Sequence, residues 1–173
     1  MKELAPFSHL LEGFSDTQLR DFLCYLLVME LEHGEELISE GNHTESLYLV
    51  SEGQLTIHVG QEKEIEITKI QPGGWVGEVS MLDPGPASAT VRVFVRAKLL
   101  ELTHDSLQKM LEDHPEAAFG FLHGLSCSLA NRLHFTSQAV IRKDQWKMKL
   151  APGNPGHPPW VTDSLKSLND TSP

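Results

Sequence analysis

The residues able to do chemistry fall in patterns that exclude more than they assign. Nine histidines invite a metal reading. His58, His104, His114, His123 and His134 show no His-x-His with a following Glu, the spacing a metallo-cupin enzyme needs. His123 and His134 stand close to three helical turns apart, which suits one solvated helix face. No nucleophile elbow or activated-cysteine motif supports Ser-His-Asp or Cys-His catalysis. Cys24 and Cys127 lie in apolar, helical-looking stretches and read as reduced core thiols of a cytoplasmic protein. What remains is a carboxylate beside a glycine, Gly77-Glu78, followed by Val79, Ser80 and Met81 and then by Ala87-Ser88-Ala89-Thr90. A hydroxyl pair, Thr136-Ser137, follows much later. Two readings of Glu78 stand, a binding carboxylate or a plain barrel-edge one. Two stand for Thr136 and Ser137, a ligand contact or a polar break in a packed helical seam.

The elements that must position these residues change period twice. Ser15 with Gln18 three residues on has the spacing of a capping box, and Leu19, Phe22, Leu23, Leu26 and Leu27 then fall on one helical face. From Val28 to about Leu102 the apolar runs are short and β-branched. Leu37-Ile38, Leu47–Val50, Leu55–Val59, Glu64–Thr68, Thr90–Val95 and Leu99–Leu102 read as strands, with turn glycines at 34, 41, 53 and 60. Glu64–Thr68 alternates polar and apolar, as a one-sided sheet does. This spacing predicts a mainly β fold with flanking helices, an antiparallel β-roll or jelly roll. Asp105 is placed to cap a short helix over Ser106–Leu111, and Pro115 opens a long one. Leu122, Leu125, Leu129, Leu133 and Val140 form a stripe suited to a second copy of the same helix, so a homodimer through residues 116–141 is expected. Packing of that stripe on the chain's own barrel is the competing reading. The domain is expected over 5–142. Residues 143–173 hold Pro152, Pro155, Pro158, Pro159 and Pro173, half of the chain's ten prolines, and read as a disordered or loosely docked tail.

Composition narrows the function classes. The chain has 173 residues, 14 basic against 24 acidic, for a net charge of −10. A phosphate-backbone binder needs a basic face, so nucleic acid is not an expected partner. No apolar run approaches the ~20 residues of a membrane span, and the N-terminus lacks the apolar stretch of a secretory signal.

The order helix, small β-roll, long helix acquires specificity from its punctuation. Gly34-Glu-Glu-Leu-Ile-Ser-Glu-Gly41 is followed by Glu45, Leu47–Val50 and Gly53, then by Pro72-Gly73-Gly74-Trp75-Val76-Gly77-Glu78 and Ala87-Ser88-Ala89-Thr90-Val91. This pattern resembles the cyclic-nucleotide-binding domain family, which includes the bacterial catabolite activator protein and protein kinase A regulatory subunits. The resemblance covers roughly residues 5–141. It implies a phosphate-binding cassette in which Glu78 accepts a hydrogen bond from the ribose 2′-hydroxyl. Val79, Ser80 and Met81 would supply backbone N–H groups to the cyclic phosphate, and Gly77 a close approach of the backbone. Ser88 would add a hydroxyl and an amide beside Ala89. It also implies a contact from Thr136 and Ser137 to the purine, one residue from each subunit.

At its most informative position the sequence departs from that pattern. Pro86-Ala87-Ser88-Ala89-Thr90 stands where Pro-Arg-Ala-Ala-Thr is typical, so the cation facing the phosphate is missing. Arg92 is a poor substitute, because Val91 and Val93 should face the core and turn it outward. The superfamily's haem-bound gas sensors are a further likeness, but no residue singles itself out as an axial ligand. The expectation is a stand-alone, non-enzymatic module without a DNA-recognition helix. It either senses a cyclic nucleotide (cAMP or cGMP) weakly and signals to an effector protein, or has lost the ligand and serves as a dimerising interaction domain.

Overall fold

The computed structural model describes residues 2–60 and 64–150, with side chains along the long helix described as far as His134. A 3₁₀ turn, Lys2–Phe7, precedes α1, Asp16–Leu23. The roll follows as β1 Leu27–Leu31, β2 Glu36–Ile38, β3 His43–Thr44, β4 Ser46–Val59, β5 Ile65–Ile70, β6 Trp75–Val76, α2 Glu78–Leu82, β7 Gly85–Pro86 and β8 Thr90–Thr103. Two helices complete it, α3 His104–Asp113 and α4 Pro115–Leu150. The main sheet runs β1-β8-β4-β5 with every pair antiparallel; β2 joins β8, β6 joins β4, and β3 with β7 makes a separate ribbon. The expected β-roll with flanking helices is the observed architecture. The chain divides into two units, Met1–Leu125 and Ser126–Pro173, so α4 begins in the first and continues in the second.

The start of α1 is built as its sequence dictates. The Ser15 side chain accepts from the Gln18 N–H while the Gln18 side chain accepts from the Ser15 N–H, a reciprocal cap worth about 1 kcal/mol. Its end comes sooner than periodicity suggests. The N–H groups of Cys24, Tyr25 and Leu26 bond back to Asp21, Phe22 and Leu23, and Leu27 then pairs with Glu101 as strand. Cys24, at the helix C-cap, is exposed and donates to the Arg20 carbonyl; Cys127 is exposed as well. Neither thiol is in the core, because neither lies on the buried stripe of its helix.

Four of the expected strands merge into two. Leu47–Val50 and Leu55–Val59 are parts of β4, and Thr90–Val95 and Leu99–Leu102 are parts of β8. Gly53 is therefore a bulge residue inside a strand and not a turn. Its φ is +85°, and a Cβ there would stand 2.2 Å from the Arg96 carbonyl oxygen. Only glycine combines that backbone with that approach, and the pairing register shifts on either side of it. Asp105 does not cap α3. Thr103 does, accepting from the Ser106 N–H at 3.1 Å.

Alternation along the long strands feeds two buried layers. Tyr48, Val50, Leu55, Val91, Val93, Ala97 and Leu99 fill the roll with Ile38, Val76 and Ala87. Leu47, Leu49, Leu100 and Leu102 are buried outside that cluster. Phe7, Leu10, Phe22, Leu107, Met110, Phe121 and Leu125 are among the residues buried by the N-terminal segment and the helices. The Phe22 and Phe121 rings stack 5.0 Å apart and tie α1 to the start of α4. Gly124 lets α4 lie against the N-terminal segment: a Cβ there would stand 2.1 Å from the Leu10 carbonyl oxygen, and one on Gly120 would meet the Phe14 ring. The first part of the leucine stripe is thus covered by the chain itself. Leu125 is buried and Leu122 and Leu129 are half-buried, while Leu133 is 68% exposed. The helix runs to Leu150, beyond the expected end near 141, since no proline or glycine stands between Ile141 and Ala151. The Pro-rich segment 151–173 lies outside the described residues.

On the outside of the roll Arg92 clamps two carboxylates from separate segments. It donates to Glu36 from Nε at 3.2 Å and from Nη2 at 2.9 Å, and to Glu64 from Nη2 at 2.7 Å and from Nη1. The Ser39 hydroxyl and then Arg92 hold the Glu36 carboxyl below the usual carboxylate range. Arg92 does the same for Glu64, and these bonds in turn raise the guanidinium's own pKa.

Two outcomes follow for stability. Gly→Ala in an open helix stabilises by about 1 kcal/mol. Gly124→Ala should instead destabilise by about 1–3 kcal/mol, because the methyl meets a backbone oxygen that cannot rotate away; an unchanged or raised melting temperature would contradict the packing. Both clamp carboxyls are depressed in the folded state, so their contribution is full above the unfolded value near ~4.3 and is lost as pH falls through the lower folded values. Urea midpoints for the wild type and Arg92→Met should therefore differ most at neutral pH and converge as the medium is acidified below that range.

Candidate functional site

The candidate cassette runs from Gly77 to Ala89, between β6 and β8. Gly77 is the pivot. Its φ is +88°, and a Cβ would stand 2.2 Å from the Ser46 carbonyl oxygen, so the chain leaves β6 pressed against the start of β4. Glu78 then opens α2 and is half-buried. The first bond of that turn is Met81 N–H to the Gly77 carbonyl at 3.0 Å. The N–H groups of Glu78, Val79 and Ser80 precede it in the first turn of the helix. Ser80 and Met81 are buried, whereas Val79 is 63% exposed.

The return leg is held by backbone. The Ala87 carbonyl accepts from Gly41 N–H and the Ala87 N–H donates to the Asn42 carbonyl, both at 2.8 Å. β7 pairs with β3 just before it. Thr90 is buried and its hydroxyl accepts from the Glu40 N–H at 3.0 Å, while Glu40 Oε2 accepts from Gly60 N–H at 2.8 Å. Ser88 is exposed and Ala89 half-buried. The residues singled out between Gly77 and Ala89 thus share one loop–helix–loop segment. Thr136 and Ser137 fall within α4, and their side chains lie outside the described residues.

Ala87 is only 8% exposed and belongs to the cluster that fills the roll. Every other member is apolar except Tyr48, and burial pushes the Tyr48 phenol up, so it brings no charge. The alanine side chain therefore faces the interior of the roll. Arg92 does not replace that cation, since Val91 and Val93 are buried, as their alternation predicts, and Arg92 is bound to Glu36 and Glu64. The histidines gather no metal set among the described residues, and His123 and His134 are both exposed.

One contact had no sequence signature. His104, the first residue of α3, has its Nδ1 3.1 Å from the Met81 carbonyl, at the end of the cassette helix. A carbonyl only accepts, so Nδ1 carries the proton; Gln108 Nε2 then donates to the bare Nε2 at 3.3 Å. The His104 N–H also donates to the Glu45 carbonyl at 2.8 Å. The cassette is thereby bonded to the helix that leads into α4. The signal for this lies in tertiary approach, which spacing within a helix cannot report.

The family model described as cyclic nucleotide-binding domain matches residues 28–114, from β1 to the end of α3. The cAMP-activated global transcriptional regulator CRP of Escherichia coli is 26% identical over 129 residues, covering 73% of this chain and 60% of that protein. The chain thus spans about 60% of the length of that relative. The N-terminal domain of a transcriptional regulator from Streptomyces coelicolor superposes with a TM-score of 0.65 at 30% identity, covering 79% of this chain and 94% of that one. A cyclic nucleotide-binding domain from Methylobacillus flagellatus superposes with a TM-score of 0.72 at 21% identity, covering 80% and 82%, a likeness of fold. With its roll, its left-handed Gly77 and the short helix opened by Glu78, the chain belongs to the cyclic-nucleotide-binding domain family.

Proposed function

We propose that this chain is a non-enzymatic regulatory module whose cassette takes a cyclic nucleotide weakly and whose α4 carries the effect of occupancy to a partner. The observation behind this reading is the intact scaffold at Gly77–Ser80 beside an alanine at position 87. The sugar side keeps its carboxylate and its close backbone approach. The phosphate side keeps backbone amides but lacks the charge-assisted bond, worth roughly 1.5–3 kcal/mol. The cAMP activation of the matched regulator makes cAMP the first ligand to try. The bond from His104 to Met81 supports a route from cassette to helix.

A second reading, a degenerate module that only dimerises, is favoured by one observation: position 87 closes an uncharged interior cluster. In either case the partner surface is the outer part of α4, where Leu133 is exposed and Leu129 half-buried. Association with a second copy there is part of the proposal.

Calorimetry with cAMP and cGMP separates the readings. The wild type should bind weakly, and Ala87→Arg should bind about 10- to 100-fold more tightly. Adding Glu78→Ala should reverse most of the gain. Tight binding by the wild type would contradict the role given to position 87; silence from the arginine variant would leave the interaction-domain reading. For the helix, Leu129→Glu with Leu133→Glu should convert a dimer to a monomer in light scattering at low micromolar concentration. A wild type that is already monomeric there would end the α4 proposal.

A further inference from the structure

The alternation over Glu64–Thr68 reads as a strand with one buried side, and the structure leaves that side uncovered. Ile65 and Ile67 are 56% and 58% exposed, and every residue of β5 before Ile70 is exposed. Among the described residues β5 is an edge strand, paired with β4 alone. An apolar, unpaired strand edge is a template on which another strand adds.

We propose that the open edge of β5 pairs antiparallel with β5 of a second copy of this chain, about a two-fold axis. This inference rests on the roll and is independent of nucleotide binding. Charge and face select the register. Because of the bulge beside Ile57, Glu66 lies opposite His58 and Lys69 opposite Thr56, two positions apart on β4, so both occupy one face. Their charged groups are in fact 3.9 Å apart. By the same count Ile65, opposite Val59, and Ile70, opposite Leu55, occupy the other face. Setting Glu66 against Lys69 of the second copy returns Lys69 against its Glu66 and Ile65 against its Ile70. Opposite charges and like apolar side chains then meet on matching faces, each pair twice. The alternative of setting Glu64 against Lys69 would draw Glu64 away from Arg92. One strand edge buries less than a stable interface needs, so the pairing is weak and concentration-dependent.

Sedimentation velocity on the full chain, from micromolar to near-millimolar concentration, tests this. The Leu129→Glu/Leu133→Glu variant removes any contribution from α4. In that background the sedimentation coefficient should still rise with concentration. Lys69→Glu should weaken the association about tenfold, the charge exchange Glu66→Lys/Lys69→Glu should restore it, and Ile67→Lys should abolish it. Melting temperatures near that of the background confirm that each variant folds. A background that stays monomeric throughout, or an association that neither Lys69→Glu nor Ile67→Lys disturbs, would overturn the proposal. Failure of the charge exchange to restore what Lys69→Glu removed would overturn the register.

Discussion

Two long strands, β4 and β8, pair from Ser46 opposite Thr103 to His58 opposite Thr90, and the other strands of the main sheet are registered against one of them. That ladder is longer than a flat strand pair could keep while closing into a roll. It bends at the bulge where Gly53 presses on the Arg96 carbonyl. The bend lets one strand serve two layers. Its two ends hold the cassette, Ser46 against Gly77 at one and Thr90, beneath Glu40, at the other. The position of Glu78 and Ala87 relative to one another is thus a consequence of the register of β4 on β8. A slip of one residue would exchange the two buried layers and separate them.

Charge is distributed so that the outside of the roll is satisfied and the inside is neutral. Arg92 is held by Glu36 and Glu64, and Arg96 by Glu30 and Glu32. Neither bond network involves the cassette. The cluster containing Ala87 holds no charged residue. An anion arriving at Gly77–Ser88 would therefore meet oriented backbone dipoles and hydroxyls without a countercharge from β8. Weak binding is the physical expectation of that arrangement under the proposed function.

Local rules were legible in the residues themselves. The Ser15–Gln18 box, Pro115 at the helix start, the inward Val91 and Val93 and the left-handed Gly34, Gly41, Gly60 and Gly77 follow from propensity, alternation and backbone freedom. The bulge at Gly53 looks like a turn in sequence because both demand the same φ. Ile65 and Ile67 alternate like core residues, and alternation cannot say whether a second layer exists to cover them. The roles of Gly120 and Gly124 depend on Phe14 and Leu10, far away in sequence, and leave no periodic trace. In the site, the glycine–glutamate pair and the missing arginine were readable, while the His104 bond to Met81 was not.

We propose that the Gly77–Ala89 segment is a cyclic-nucleotide cassette retained without its cation. The most direct measurement is a titration of the isotope-labelled wild type with cAMP, followed through backbone amide resonances. Fast-exchange shifts should concentrate at Gly77, Glu78, Val79, Ser80 and Ser88, with smaller ones at His104 through its bond to Met81. Amide resonances of this segment that stay unmoved up to millimolar cAMP, or shifts confined to residues outside it, would contradict a cassette at Gly77–Ala89.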